Sequence, residues 1–303
     1  MRQLSLVLIG TLVLAGCGKK GAPTGLESNA GSKVGVKQPK PPKTNPDPEP
    51  KVGGKLAVDR ADGPAPRPPA GATMAFTNTL GMVFKPVPET EVQFCIWETR
   101  VKDYAAYVAA NVGVNERWKE PGFKQADTHP VVNVGWNDAQ AFCAWLTKNE
   151  LAAGKIKAGQ KYRLPTDAEW SVAVGLGKEE GKTPEEKHLG IEDMFPWGKR
   201  WPPPKGAGNY DNRFYSELLK VDEFEYTAPV GSFAANQHGL HDLGGNVLEW
   251  CEDKFRPNEP FRVLRGASWL NGHPGNLSSS YRTSRPPAFL LNYLGFRCVL
   301  AGE

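Results

Sequence analysis

What the chain lacks narrows it first. No apolar run is long enough to cross a bilayer as a helix, since the only candidate, Leu4 to Leu14, falls well short of the span required. Histidine is scarce, five in 303 residues. His238 and His241 lie three apart but have no cysteine or third histidine beside them, which argues against zinc, and His129 before Pro130 reads as structural. There is no GxSxG elbow, no phosphate-binding glycine loop and no spaced metalloprotease helix, so the common hydrolase and nucleotide chemistries have no foothold. The five cysteines include no CxxC or similar close pair, which leaves no thiol redox motif and no thiolate metal site. From Gly18 to Ala72 there is not one aromatic residue.

What is present divides the chain into three. Residues 1–17, MRQLSLVLIGTLVLAGC, set one Arg before an apolar stretch and small residues before a cysteine, the layout of an export signal. LAGC resembles the bacterial lipobox, which implies cleavage before Cys17 and its lipidation. The expectation is an exported, membrane-anchored lipoprotein on the periplasmic or cell-surface side, its acyl chains each adding about 0.8 kcal/mol per buried methylene. Residues 18–72 hold eleven of the 27 prolines, with Gly, Ser and Lys, and cannot bury enough apolar surface to offset their ordering entropy. They read as a tether with an r.m.s. reach of roughly 40 Å. Residues 18–75 carry ten Lys or Arg against five Asp or Glu, whereas residues 76–303 carry 26 against 28. The folded part is therefore mildly acidic and not a nucleic-acid surface.

All thirty aromatics lie between Phe76 and Arg297, so residues 74–303 read as one domain. Its punctuation by Gly and Pro is dense and its periodic segments are few, which predicts a loop-rich α+β fold. Helices are expected from Arg100 to Asn111, from Asn137 to about Ala153, and from Thr166, where Thr166 and Glu169 fit a capping box behind Pro165. Strands are expected at Thr90–Trp97, Val230–Phe233, Val263–Ser268 and Leu294–Leu300. The centre of interest is GLHDLGGNVLEWCED, Gly239 to Asp253. Its glycine pair permits a close approach of backbone, and Asp242, Glu249 and the carbonyls between them offer oxygens to a hard cation. The same residues also suit a tight turn with solvated acids. Those two readings stand side by side at this point.

Nine stretches then resemble one family in order and spacing. They are ETRVKDYAAYV, HPVVNVGWNDAQAFCAWL, YRLPTDAEW, FPWG, APVGSF, NQHGLHDLGGNVLEWCED, VLRGASW, YRTSRPP and YLGFRCV, and they resemble the formylglycine-generating enzyme or sulfatase-modifying factor domain over nearly all of residues 80–300. The resemblance implies an irregular α+β fold with C-type-lectin-like topology and bound calcium. It assigns one Ca²⁺ to the side chains of Asp242 and Glu249 and the carbonyls of Gly245 and Val247. A second falls to the side chains of Asn209 and Asp222 and the carbonyls of Tyr210 and Phe224. The stretch between Asp211 and Val221 departs from the pattern. With Cys17 assigned to lipid, four cysteines remain, an even number with three possible pairings. The resemblance pairs Cys143 with Cys298 and leaves Cys95 with Cys251.

The family's chemistry is copper-dependent oxidation of a substrate cysteine, and soft Cu(I) needs sulfur ligands. The resemblance places those cysteines three and eight residues after Ser268. Here Asn271 and Asn276 stand there, and Gly266 to Tyr281 contains no cysteine. Copper is not expected, and no catalytic residue is assigned. The reading is a calcium-stabilised binding or scaffold module for a protein or glycan partner, with Ser268, Trp269, Asn271, His273, Asn276, Tyr281 and Arg282 offered as its surface. The alternative is an oxidoreductase of the formylglycine-generating or non-haem-iron type with a relocated site, for which His273 is the one histidine to test. Arg265, Arg282, Arg285 and Arg297 suit either an anion groove or, as the fold's RGAS and GFR motifs suggest, hydrogen bonds to its loops.

Overall fold

The computed structural model describes residues 75–211 and 221–302. Cys17, the lipobox, the tether and the stretch 212–220 lie outside the described residues. Among the described residues no helix is long and apolar enough to cross a membrane.

Two helices supply one wall of the core. Helix α1 (Val101–Ala110) buries Tyr104 and Tyr107, three apart, and helix α2 (Trp136–Ala152) buries Ala139, Phe142, Cys143 and Leu146 at helical spacing. Tyr104 stacks on Phe142 with ring centroids 5.9 Å apart, which locks the two faces together. The start of α2 corrects the expected Asn137 cap. Gly135 caps it instead, its N–H donating to Asp138 Oδ2 at 2.9 Å. A side chain at 135 would meet the Pro287 carbonyl at 2.8 Å, so packing selects the glycine. Helix α3 (Asp167–Val174) starts as expected: Glu169 N–H donates to Thr166 Oγ1, and Thr166 N–H donates to Glu169 Oε2. Gly175 ends it at φ 99°.

Strands β1 (Phe76–Thr77), β2 (Val83–Pro86), β3 (Val92–Cys95), β4 (Lys161–Arg163) and β9 (Val299–Ala301) form a five-stranded sheet in the order β1-β2-β3-β9-β4. Strands β5 (Leu248–Lys254), β6 (Arg262–Arg265), β7 (Thr283–Arg285) and β8 (Leu294–Gly295) form a four-stranded sheet in the order β7-β6-β5-β8. Two one-turn helices, α4 (Pro184–Lys187) and α5 (Pro274–Leu277), and a 3₁₀ turn (Glu116–Lys119) punctuate long loops. The family fold expected from the motifs is the fold found, an α+β fold. Two strand expectations and one loop reading are corrected. Val230–Phe233 is a turn, Leu294–Leu300 divides between the two sheets, and Leu248–Lys254, read as part of a ligand loop, is a strand buried along its first half.

The first apolar cluster lies between the five-stranded sheet and α1 and α2, and it contains Cys95, Cys143 and Cys298. The second, with Trp170, Val263 and Cys251, lies on the other side. All four thiols are free and buried. Cys143 Sγ and Cys298 Sγ approach to 3.5 Å, the pair implied by the resemblance. Cys95 and Cys251 are not joined: they belong to separate clusters.

Candidate functional site

The glycine pair allows one loop to lie directly on another. Gly245 takes φ 84°, and a Cβ there would fall 2.3 Å from the Asn209 carbonyl oxygen. A Cβ on Gly244 would fall 2.5 Å from Tyr210 Oη. Only residues without side chains let segment 242–247 seat against 209–210 this closely. Asn246 N–H then donates to the Asn209 carbonyl at 2.9 Å, and Asn209 Nδ2 reaches Asn246 Oδ1 at 3.3 Å. The two calcium sets read from the sequence are thus in direct contact.

In the second set, Asp222 accepts from Tyr210 N–H at 3.1 Å and from Phe224 N–H at 2.8 Å, which gathers three of the four expected residues around one carboxylate. Asn209 is fully buried, yet its Oδ1 has no hydrogen-bond partner. Burial also raises the Asp222 carboxyl above its ordinary pKa. A buried amide oxygen without a donor is costly in a protein and is what an oxygen-seeking cation would satisfy. These residues fit calcium.

In the first set, Asp242 adopts φ 57° and its Oδ2 accepts from Gly231 N–H at 2.6 Å. Burial pushes its carboxyl up to about 6 against the opposing hydrogen bond from Gly231 and the Arg297 charge. Both Glu249 oxygens accept from protein donors. Arg297 Nε donates to its Oε2 at 2.7 Å and Arg297 Nη2 to its Oε1 at 2.5 Å, while Trp170 Nε1 donates to Oε2 at 3.1 Å. Both partners of that ion pair are fully buried. The sequence reading missed Glu98, which enters the site from the turn after β3. Glu98 is fully buried; its Oε2 accepts from Asn246 Nδ2 at 3.4 Å and its Oε1 has no partner. Burial, then the neighbouring Asp242, raises its pKa well above the carboxylate range. No periodicity or spacing marks a lone Glu in CIWETR as a member of a site some 140 residues away. Among the described residues no three His, Cys, Asp or Glu side chains converge on a metal position.

The stretch where the family keeps its copper thiolates is built from amides. Ser268 Oγ donates to Asn271 Oδ1 at 2.9 Å, and the Asn271 carbonyl accepts from Asp211 N–H at 3.0 Å. Asn276 lies in α5, which His273 caps by accepting from Gly275 N–H at 3.2 Å. The four described cysteines are buried in the apolar clusters, and burial raises the thiol pKa of Cys95, Cys251 and Cys298. Copper(I) has no sulfur to take here, so the residues present do not fit it.

The proposed contact surface is mostly interior. Ser268, Trp269 and Arg282 are buried, Tyr281 is half-buried against His188 with ring centroids 5.4 Å apart, and His273 is exposed. Arg282 and Arg265 share Asp167: Arg282 Nε donates to its Oδ1 at 2.9 Å and Arg265 Nη1 to the same oxygen at 2.5 Å. Arg282 also pairs with Glu179. Asp167 remains ionised, because the two guanidinium groups hold its pKa below the usual carboxylate value against the cost of burial. The arginines therefore tie loops together and do not line an anion groove. The remaining histidines serve ordinary roles: Nδ1 of His129 bonds Thr227 Oγ1, Nδ1 of His241 bonds the Phe233 carbonyl and His238 bonds Gln237. Beside α5 a cavity of about 260 Å³ opens between Leu189, Ile191, Phe195 and Pro274, with Glu192 and Asp193 on its wall.

Comparison with known proteins agrees with this architecture. Residues 52–301 match the sulfatase-modifying factor enzyme 1-like domain. An inactive C-alpha-formylglycine-generating enzyme 2 from Bos taurus is 31% identical over 193 residues, covering 60% of this chain and 55% of the relative. A formylglycine-generating enzyme from Streptomyces coelicolor is 33% identical over 204 residues, covering 60% and 57%. The aligned part thus spans little more than half the length of these relatives. Among solved structures, PvdO from Pseudomonas aeruginosa superposes with a TM-score of 0.53 at 20% identity, covering 75% of this chain and 98% of that one. Those similarities, with the nine collinear motifs and the α+β fold that they predicted, place this chain in the sulfatase-modifying factor enzyme 1-like family.

Proposed function

We propose that this is a non-catalytic member of the family, a calcium-stabilised domain that binds a protein or glycan and is held outside the cytoplasm by a lipidated Cys17. The observation that carries the reading is the Ser268–Asn271 hydrogen bond, an amide closing the place where the family's first thiolate belongs. A relative named as inactive, at 31% identity, supports it. Calcium is supported by the orphaned, buried Asn209 Oδ1 and by the acidic residues gathered at the glycine pair. The ion would link Asn209, whose side-chain oxygen has no protein donor, to the facing segment 242–247. Its contribution is structural: a hard cation holding together two stretches, 209–211 and 242–247, that lie outside helices and strands. The exposed surface beside His273 and the cavity at Phe195 and Pro274 offers the partner site, since buried Ser268 and Trp269 do not.

The test is direct. The purified protein is treated with EDTA, then offered Ca²⁺ or Cu(I), and bound metal is measured by mass spectrometry, followed by an assay for aldehyde formation on a cysteine-containing sulfatase peptide. Retained calcium without copper and without aldehyde is the expected result. Stoichiometric copper together with aldehyde would sink the proposal.

A further inference from the structure

We infer that the cavity beside α5 is the partner site of this domain, and that it takes an apolar side chain lying next to a lysine or arginine on a protein partner. This rests on the binding-module reading above and chooses protein over glycan. One wall of the cavity, Leu189, Ile191, Glu192 and Asp193, comes from the stretch between the motifs YRLPTDAEW and FPWG and belongs to neither. Three hydrogen bonds fix that wall against the chain after α5. Leu189 N–H donates to the Ser280 carbonyl at 3.1 Å, Ser280 Oγ donates to the Ile191 carbonyl at 2.8 Å, and Ser279 N–H donates to the Met194 carbonyl at 2.8 Å. The pocket is therefore formed before any partner arrives.

Leu189 is the residue whose placement calls for a use. It is 42% exposed and holds φ 55°. A bulky side chain is disfavoured in the left-handed region, and one left so exposed gains little burial in return, whereas Gly or Asn would adopt the same φ readily. Residues held against their backbone preference gather at surfaces that bind. The apolar surface also continues past the cavity, since Phe195 meets Trp201, 39% exposed, with ring centroids 5.6 Å apart.

Size and charge select the occupant. About 260 Å³ falls below the range of about 300–1,000 Å³ typical of small-molecule sites, and suits one or two side chains. Leu189, Ile191, Phe195 and Pro274 make the lining largely apolar, and it includes no side-chain amide, lysine or arginine. A glycan thus lacks paired donors and acceptors, and an anion lacks a countercharge. Glu192 and Asp193 are exposed, and neither has an ion-pair partner among the described residues. Two adjacent carboxylates beside an apolar slot repel an acidic partner and attract a basic one.

The probe is a set of dye-labelled hexapeptides, Gly-Ser-X-Z-Ser-Gly, with Ala, Leu, Phe or Trp at X and Arg, Lys, Gln or Glu at Z, titrated with the full chain and read by fluorescence polarisation. Leu or Phe at X should bind about tenfold or more above Ala. Arg or Lys at Z should bind about twofold to fivefold above Gln, with Glu weakest, and this preference should fade as salt is raised. Glu192→Gln with Asp193→Asn should erase the preference at Z and keep that at X. Leu189→Asn should cut binding severalfold without lowering the melting temperature, because Asn accepts the left-handed conformation. Maltotetraose and chitotetraose, added as competitors, should displace nothing. Equal binding of Ala and Leu at X, a preference for Gln or Glu at Z, unchanged binding in Leu189→Asn or displacement by either sugar would overturn the assignment. The aldehyde assay on the same protein separates the two levels: no peptide binding with no aldehyde overturns this assignment alone, and aldehyde formed with bound copper overturns the binding-module reading as well.

Discussion

Replacing Glu249 by Gln isolates the ion pair on which the centre of the domain rests. The substitution keeps volume and leaves the Arg297 guanidinium, fully buried, without its bidentate partner. Breaking a buried pair by removing one member costs about 3–5 kcal/mol, most of it the unpaired charge left behind. Two features put this case at the low end, near about 3 kcal/mol. Arg297 keeps one hydrogen bond to the Cys95 carbonyl at 3.3 Å and another to the His241 carbonyl at 2.9 Å. In a domain of this size each kcal/mol moves the melting temperature by roughly 2–4 °C, so a fall of about 6–12 °C is expected. Circular dichroism melts in EDTA and in calcium measure it. The fall should be the same in both, because the pair is complete without a cation. Glu249→Leu with Arg297→Met should recover most of the loss, since an apolar pair of similar volume removes both desolvation costs. A loss under about 1 kcal/mol, or one seen only in calcium, would refute the reasoning and assign Glu249 to a cation.

Other outcomes follow from the same contacts. Asp167→Asn leaves Arg265 and Arg282 buried around a neutral amide and should cost about 3 kcal/mol or more in urea unfolding. Gly245→Ala forces a Cβ to within 2.3 Å of the Asn209 carbonyl at φ 84°, and should lower both the melting temperature and calcium retention. Thr166→Ala removes the cap of α3 and should cost about 1 kcal/mol, read by chemical denaturation. His188 has its pKa lowered by burial first and then by Arg282 and Arg265. The unfolded chain therefore binds the proton more readily, so the contribution of this residue is complete above about pH 6.5 and is lost as pH falls below it. Urea midpoints in His188→Asn, whose Oδ1 can accept from Arg282 N–H in place of Nδ1, should show a smaller decline between pH 7 and 5 than the wild type.

The helices were legible because their signals are local. Thr166 and Glu169 announce α3 within four residues, and Phe142 with Leu146 marks the buried face of α2 whichever residue caps it. The strand Leu248–Lys254 was not. It is buried at four successive positions, so the alternation that identifies a half-buried strand is missing, and its acids at 249, 252 and 253 imitate a solvated turn. Glu249 illustrates the limit on site residues. Its motif marks it as chemically engaged, but whether an acid meets a cation or a guanidinium depends on Arg297, 48 positions away and brought alongside by strand β8, which pairs with β5 in parallel. The exposed surface offered from 268 to 282 failed for a related reason: aromatic and cationic residues that suit an interface also suit a core when Asp167 and Glu179 arrive to neutralise them.

This division between local and distant partners bears on how the chain could lack the thiols and keep the fold. The stretch from Gly266 to Tyr281 hangs between two arginines, Arg265 and Arg282, whose guanidinium groups meet at Asp167. Arg265 Nη2 also donates to the Ser279 carbonyl at 2.9 Å, so the loop is tied to its own root. None of those bonds passes through position 271 or 276. Asn271 adds a bond to Ser268 and takes the Asp211 N–H, but both are neutral and individually worth about 1 kcal/mol. The residues that the family uses for chemistry are thus separable here from those that hold the loop. A binding role can occupy this scaffold with the copper thiolates absent because the arginine framework, and not a metal, sets the shape of the loop.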